Sequence, residues 1–300
     1  MSDLYQQLSV PTTGGDLCIG RWGDGKQIVF ASHGITANHL SWQRVGELVV
    51  EQSDNTVSLV AVDHRGRAGS AGVAGPFGLA THGNDMITLA DYFDVDSAVL
   101  VGHSMGGFVV ASAAEAAPDR VQRLVLVDGG VPFEGEIPSD ANPEEIIRAV
   151  IGPALDRLDQ RWPSEEDYVN FFRQHPAFLP PNEWPSAADA YVRHDAVVTA
   201  EGEVRSSVVK DAVIADGSAA IVDPASAAAI ERVPTNTLWL WAPRGLLDQT
   251  PGLYSPEYVA ATSDRLPHVT PQLVADTNHY TIAVGETGAQ AVVAAVLGSR

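Results

Sequence analysis

An apolar run at residues 97–101 ends in Gly102-His103-Ser104-Met105-Gly106-Gly107 and passes at once into a helix-like stretch, 108–117. A G-x-S-x-G motif between strand and helix constrains the chain sharply. The strand must reverse tightly, and glycines at 102 and 106 remove side chains that would collide in the turn. Ser104 is then held at the tip of the turn, above the sheet edge. Amides at the start of the following helix point toward the same spot, where an anionic oxygen can be held. This geometry suits a nucleophile.

The surrounding pattern gives the turn its setting. Residues 5–10 and 16–22, with Thr13-Gly14-Gly15 between, predict a hairpin. Continuous apolar strands at 27–32, 57–63, 98–101 and 123–127 alternate with helical spacing at 39–51, 79–93 and 108–117. Such alternation predicts a parallel sheet covered on both faces. After Gly130 the texture changes. Residues 131–232 show no convincing buried strand, but helical patches at 143–162, 164–175, 186–198 and 206–215, broken by prolines and rich in aromatics. They read as a helical lid over the carboxyl edge of the sheet. Strands resume at 237–241 and 269–274, and a helix at 287–297 closes the fold. The expected division is therefore 1–130 and 233–300 for the two parts of a core, with 131–232 as the lid.

Bulk properties narrow the partners. The net charge is −20 and the only lysines are Lys26 and Lys210. Such a surface repels phosphate backbones, so nucleic acid is not an expected partner. A single cysteine, Cys18, rules out an internal disulfide and fits a reducing compartment. Residues 1–7 lack a secretory pattern, and no apolar run approaches a membrane span. The expected setting is cytoplasmic, with no membrane partner and the homo-oligomeric state left open.

A serine hydroxyl needs a base within hydrogen-bond reach, and the base needs an orienting carboxylate. His279, in Asp276-Thr277-Asn278-His279-Tyr280, follows the last apolar strand and opens on the same edge as the serine turn. Two aspartates can serve as the acid. Asp248 follows the strand at 237–241 and is favoured; Asp128, at the end of the strand at 123–127, is the alternative. For the oxyanion, Met105 N–H is one donor and Ile35 N–H, in His33-Gly34-Ile35-Thr36, the other, with Gly34 and Thr36 as supporting neighbours. His33 reads as a brace for that loop. In the lid, His175, Arg193 and His194 are polar candidates for ligand contact, with a solvated role favoured for each. Asp63-His64 and His82 form no paired histidine–aspartate pattern, so no metal is expected. Residues 102–107 do not match a dinucleotide loop, so no cofactor is expected either.

Taken in order, His33-Gly34-Ile35, Asp63-His64-Arg65-Gly66-Arg67-Ala68-Gly69-Ser70, the motif at Ser104, the loop at Asp248 and His279 resemble the α/β-hydrolase superfamily. The resemblance covers about residues 15–130 and 233–297. It implies an α/β fold with an eight-stranded, mostly parallel sheet and a helical lid inserted after the sixth strand. It also implies hydrolysis through an acyl-enzyme. The aromatic and proline content of the lid favours an apolar acyl or alcohol portion, so the expected partner is a small to medium, partly apolar small-molecule ester or lactone. The alternatives are carbon–carbon bond hydrolysis or perhydrolysis on the same three residues, or a small-molecule receptor with slow turnover. Serine at position 104 disfavours relatives that open epoxides or remove halides, which attack with aspartate.

Overall fold

The computed structural model describes residues 4–135 and 142–298. Residues 1–3 of the chain start and 136–141 of the expected lid lie outside the described residues. The hairpin is present as β1 (Tyr5–Thr12) and β2 (Gly15–Trp22), paired antiparallel. Then follow β3 (Gln27–Ser32), α1 (Gln43–Gln52), β4 (Val57–Val62), α2 (Leu79–Tyr92), β5 (Ala98–His103), α3 (Met105–Ala116) and β6 (Val121–Val127). The inserted segment carries α4 (Pro143–Leu158), α5 (Glu165–Arg173), α6 (Ala188–Asp195), the short strands β7 (Ala196–Val198) and β8 (Val204–Ser206), α7 (Lys210–Gly217), α8 (Pro224–Ala227) and α9 (Ala229–Arg232). The chain returns through β9 (Thr237–Trp241), α10 (Pro256–Arg265), β10 (Val269–Leu273), α11 (Thr281–Val284) and α12 (Glu286–Leu297).

Eight strands form one sheet in the order β1-β2-β4-β3-β5-β6-β9-β10. β2 runs antiparallel to β4, and every pairing from β4 to β10 is parallel. Alternate residues of each central strand enter opposite cores, as the two-residue period of a strand requires. Phe30, Val60 and Leu124 face one side, where α2, α3 and α10 pack; Val29, Leu59 and Val125 face the other, against α1 and α12. Burial on both faces explains why these strands read as unbroken apolar runs.

Several local features differ from the sequence expectation. Residues 39–42 form a 3₁₀ turn before α1 because the Asn38 side chain caps Leu40 N. The helix expected at 186–198 ends at Asp195, and Ala196–Val198 pairs with Val204–Ser206 as a small hairpin. α10 was not expected at all, although Ser255 caps Tyr258 N and Pro256 opens its first turn.

Buried polar groups organise the insert. Asp195 accepts from Arg157 at 2.8 Å, from Ser206 and Ser207 hydroxyls and from the Tyr168 hydroxyl. Asp216 on α7 pairs with Arg67 of the core at 2.5 Å and with His82 at 3.0 Å. Asn38 donates to Tyr191 O on α6 at 2.9 Å. These contacts seat the insert on the carboxyl edge of the sheet.

Candidate active site

Ser104 joins β5 to α3 with φ +55° and ψ −122°, a backbone conformation that costs a non-glycine residue energy and persists only where its surroundings enforce it. They do enforce it. A side chain at Gly102 would strike the Gly106 carbonyl, and one at Gly106 would strike the Ser32 carbonyl. Ser104 N is held by Val127 O of the neighbouring β6 at 2.9 Å, and a side chain at Gly129 would strike Ser104 O. The turn is thus clamped between the ends of β3 and β6.

His279 lies between β10 and α11. Asn278 fixes this corner: its Oδ1 accepts from Tyr280 N and Thr281 N, both at 2.9 Å, while its Nδ2 donates to Ala177 O. His103 Nε2–H donates to His279 O at 2.8 Å. Burial, reinforced by the neighbouring His279, pushes the His103 ring well below the ordinary imidazole value, so it holds the loop as a neutral donor.

The His279 ring bridges two partners. Nδ1 is 2.7 Å from Asp128 Oδ2, and Nε2 is 3.1 Å from Ser104 Oγ. A carboxylate only accepts, so Nδ1 carries the proton and Nε2 is left to accept from the serine hydroxyl. Asp128 is fully buried one residue past β6, and its other oxygen accepts from Ala242 N at 3.1 Å.

The carboxylate at the imidazole is therefore Asp128, not the favoured Asp248. Asp248 is half-buried and paired with Arg244 at 2.8 Å. It also accepts from Asn182 Nδ2 at 3.0 Å and from Asn278 Nδ2 at 2.8 Å. An arginine four residues earlier in the same loop captures its charge. Asp128 reaches His279 directly because β6 is the neighbour of β5, the strand that delivers Ser104.

The loop after β3 lies opposite the serine. A Cβ at Gly34 would be 3.3 Å from Ser104 Cβ. His33 acts as the expected brace: Nδ1 donates to Gly34 O at 2.7 Å and Nε2 accepts from His64 N at 3.0 Å. Burial pushes its ring down to about 3, which keeps it neutral. Arg67, missed as a functional residue from sequence, donates to Ile35 O from Nε at 3.0 Å and from Nη2 at 2.9 Å. Its place in the segment from Asp63 to Ser70 was the available signal. Among the described residues, neither Ile35 N–H nor Met105 N–H meets a protein acceptor; Met105 opens α3, where amides have no intrahelical partner.

Two small chambers flank Ser104. One, about 50 Å³, is lined by Gly34, Ile151, Tyr191, Leu246, Tyr280 and Val284. The other, about 30 Å³, is lined by Met105, Phe108, Phe133, Ala220 and Leu253. A larger cavity of about 230 Å³ lies beyond the first and shares Thr36, Ile151, Ala154, Tyr191, Leu246 and Tyr280 with it. His175 lines this outer cavity. Arg193 instead pairs with Glu165 and Glu166 on the surface, and His194 bonds Asp63 of the core. No helix among the described residues is long and apolar enough to cross a membrane.

Comparison with known proteins agrees with this architecture. A family model described as alpha/beta hydrolase fold matches residues 28–285. Lipase LipV of Mycobacterium tuberculosis is 32% identical over 121 residues, 40% of this chain and 44% of that protein. A putative carbamate hydrolase RutD of Caulobacter sp. (strain K31) is 26% identical over 173 residues, 57% of this chain and 58% of that protein. The chain thus spans about half the length of the curated relatives it matches. Among solved structures, E-2-(acetamidomethylene)succinate hydrolase superposes with a TM-score of 0.76 at 20% identity, covering 98% of this chain and 100% of that one. The M. tuberculosis esterase Rv0045c gives 0.69 at 18% identity, covering 100% and 94%.

Proposed function

The chain belongs to the α/β-hydrolase family, and from that premise we propose that it is a serine hydrolase cleaving a carboxylic ester or lactone of a small to medium, partly apolar substrate. The observation that carries this reading is the hydrogen-bonded path from Ser104 through His279 to Asp128. Ser104 attacks the carbonyl carbon as His279 Nε2 takes its proton. Asp128 keeps Nδ1 protonated and stabilises the imidazolium that forms. Amides of Ile35 and Met105 hold the tetrahedral oxyanion; His33 fixes the Gly34–Ile35 peptide through Gly34 O, and Arg67 holds the next peptide through Ile35 O. The imidazolium then protonates the leaving alcohol. Water, activated by the same ring, releases the acid and frees Ser104.

The apolar walls favour a hydrocarbon-bearing acyl or alcohol part, whose burial contributes roughly 25 cal/mol per Å². We assign the acyl portion to one small chamber and the alcohol, with its extension, to the route into the outer cavity. In this reading residues 131–232 act as the lid that bounds substrate size.

A panel of chromogenic short-chain esters and lactones, followed by intact-mass detection of an acyl group on Ser104, tests the assignment. Repeated turnover with a transient acyl adduct is the expected result. A single stalled labelling event would favour the receptor reading, and turnover confined to amides or carbamates would move the substrate class to carbon–nitrogen bonds.

A further inference from the structure

A second cluster of chemically capable side chains lies away from Ser104. We propose that Cys18, His39, Asp63 and His194 form a closed four-donor site for a zinc-like divalent cation, which fastens the lid to the sheet. One ligand atom from each lies within 4.8 Å of all the others. None of the four lines the chambers at Ser104 or the outer cavity.

The topology explains the convergence. β2 pairs antiparallel with β4, and Asp63 N donates to Cys18 O at 2.8 Å, so Cys18 and Asp63 are neighbours across the sheet. His39 comes from the turn before α1, and His194 from the last turn of α6 in the insert. With positions 18, 39, 63 and 194, no local spacing betrays the set. This proposal replaces the expectation of a metal-free chain, which rested on Asp63-His64 and His82. In fact His64 turns to Ser32 and His82 to Asp216, leaving Asp63 to His39 and His194.

The donor set fits a closed zinc site: one thiolate, two imidazoles and one carboxylate, with no fifth donor of these types grouped with them among the described residues. Two anionic ligands and a doubly charged cation give a neutral unit, which the interior accepts far better than a lone carboxylate. Asp63 and His39 are wholly buried, Cys18 is 8% exposed, and the His194 side chain 17%. Without a cation, Asp63 is held by His39 Nδ1 and His194 Nε2, each at 2.8 Å. These are hydrogen-bond distances. Ligands roughly 2.0–2.3 Å from a tetrahedral zinc stand slightly farther apart, so the ion replaces the protons after small side-chain shifts.

The surroundings are those of a supported metal site. His39 Nε2 bonds Tyr5 Oη at 2.8 Å, which fixes the ring with Nδ1 inward. Asp63 accepts from His39 N at 2.7 Å and Gly69 N at 3.0 Å, which fixes the carboxylate. A Cβ at Gly69 would sit 2.6 Å from Cys18 Sγ, and one at Gly20 would overlap the His39 ring. Both glycines leave space for ligands. A closed site of this kind is structural. Its consequence for catalysis runs through α6, which also carries Tyr191 of the substrate chamber.

The test uses full-length protein prepared without a histidine tag and equilibrated with zinc, then with cobalt in its place. Metal analysis should find one zinc per chain, and cobalt should give intense tetrahedral visible bands with a near-ultraviolet thiolate charge-transfer band. Cys18→Ser should abolish the thiolate band. His194→Gln should weaken zinc binding by at least the ~10–100-fold seen when mere supporting groups are lost. A chelator should lower the Tm of the wild type and leave that of Cys18→Ser unmoved. Failure of the wild type to retain zinc, or a cobalt spectrum without a thiolate band, overturns the proposal whether or not the variants fold.

Discussion

Asp63 and Asp128 occupy matching places. Each stands one residue past a buried strand, β4 or β6, on either side of the central β3–β5 pair, and each is fully buried against histidine. Their surroundings separate them. Asp128 holds a single imidazole, whose far nitrogen faces a serine on a strained turn. Asp63 holds two imidazoles, and the far nitrogen of His39 is closed off by Tyr5. An aspartate–histidine pair can serve as an oriented general base only when the second ring nitrogen is left to a nucleophile. Otherwise the same groups cross-link elements or gather a cation.

The two aspartates differ most in what their loss, or that of Ser104, should do to turnover. Ser104→Ala should cut ester turnover by about 10⁶-fold, with an unchanged melting temperature. Asp128→Asn should cut kcat by about 10⁴-fold, because an amide no longer holds the required tautomer. Asp248→Asn should stay within about tenfold of wild type, since that carboxylate is engaged by Arg244. Steady-state kinetics on one chromogenic ester reads all three.

Asp63→Asn should behave in the opposite sense. Removing the shared partner of two histidines should cost about 3–5 kcal/mol in urea denaturation, more than Asp128→Asn costs. The smaller effect on stability concerns acid. Burial alone would raise the Asp216 pKa, but Arg67 and His82 outweigh it and hold the group at about 2, below its ordinary 3.8. A depressed carboxylate contributes stability above its unfolded value, and that stability is lost as pH falls through the folded one. Denaturation midpoints should therefore drop between about pH 4 and pH 2, by about 2 kcal/mol from this group. Asp216→Asn should flatten that part of the profile.

Much of this was legible in the chain. Apolar runs such as 57–63 and the glycines around Ser104 announce the buried strands and the tight turn, because each has a local physical cause. The position of His279 beside Ser104 was legible from its place after the last strand. Which aspartate faces the imidazole was not, since both follow strands that open on one edge, and only the fold reveals Arg244 closing on Asp248. β7 and β8 are three residues each, with Val197 and Val198 facing outward, too short for a period to register. The role of Arg67 depends on Ile35 O, a backbone atom 32 residues away in sequence.

In the proposed mechanism Asp128, through His279, activates Ser104. The most direct measurement of this activation is the rate at which a fluorophosphonate labels Ser104, followed by intact mass, in wild type, Asp128→Asn and Asp248→Asn. Labelling should slow by orders of magnitude in Asp128→Asn and keep its wild-type rate in Asp248→Asn. Fast labelling in Asp128→Asn with loss in Asp248→Asn would contradict that mechanism.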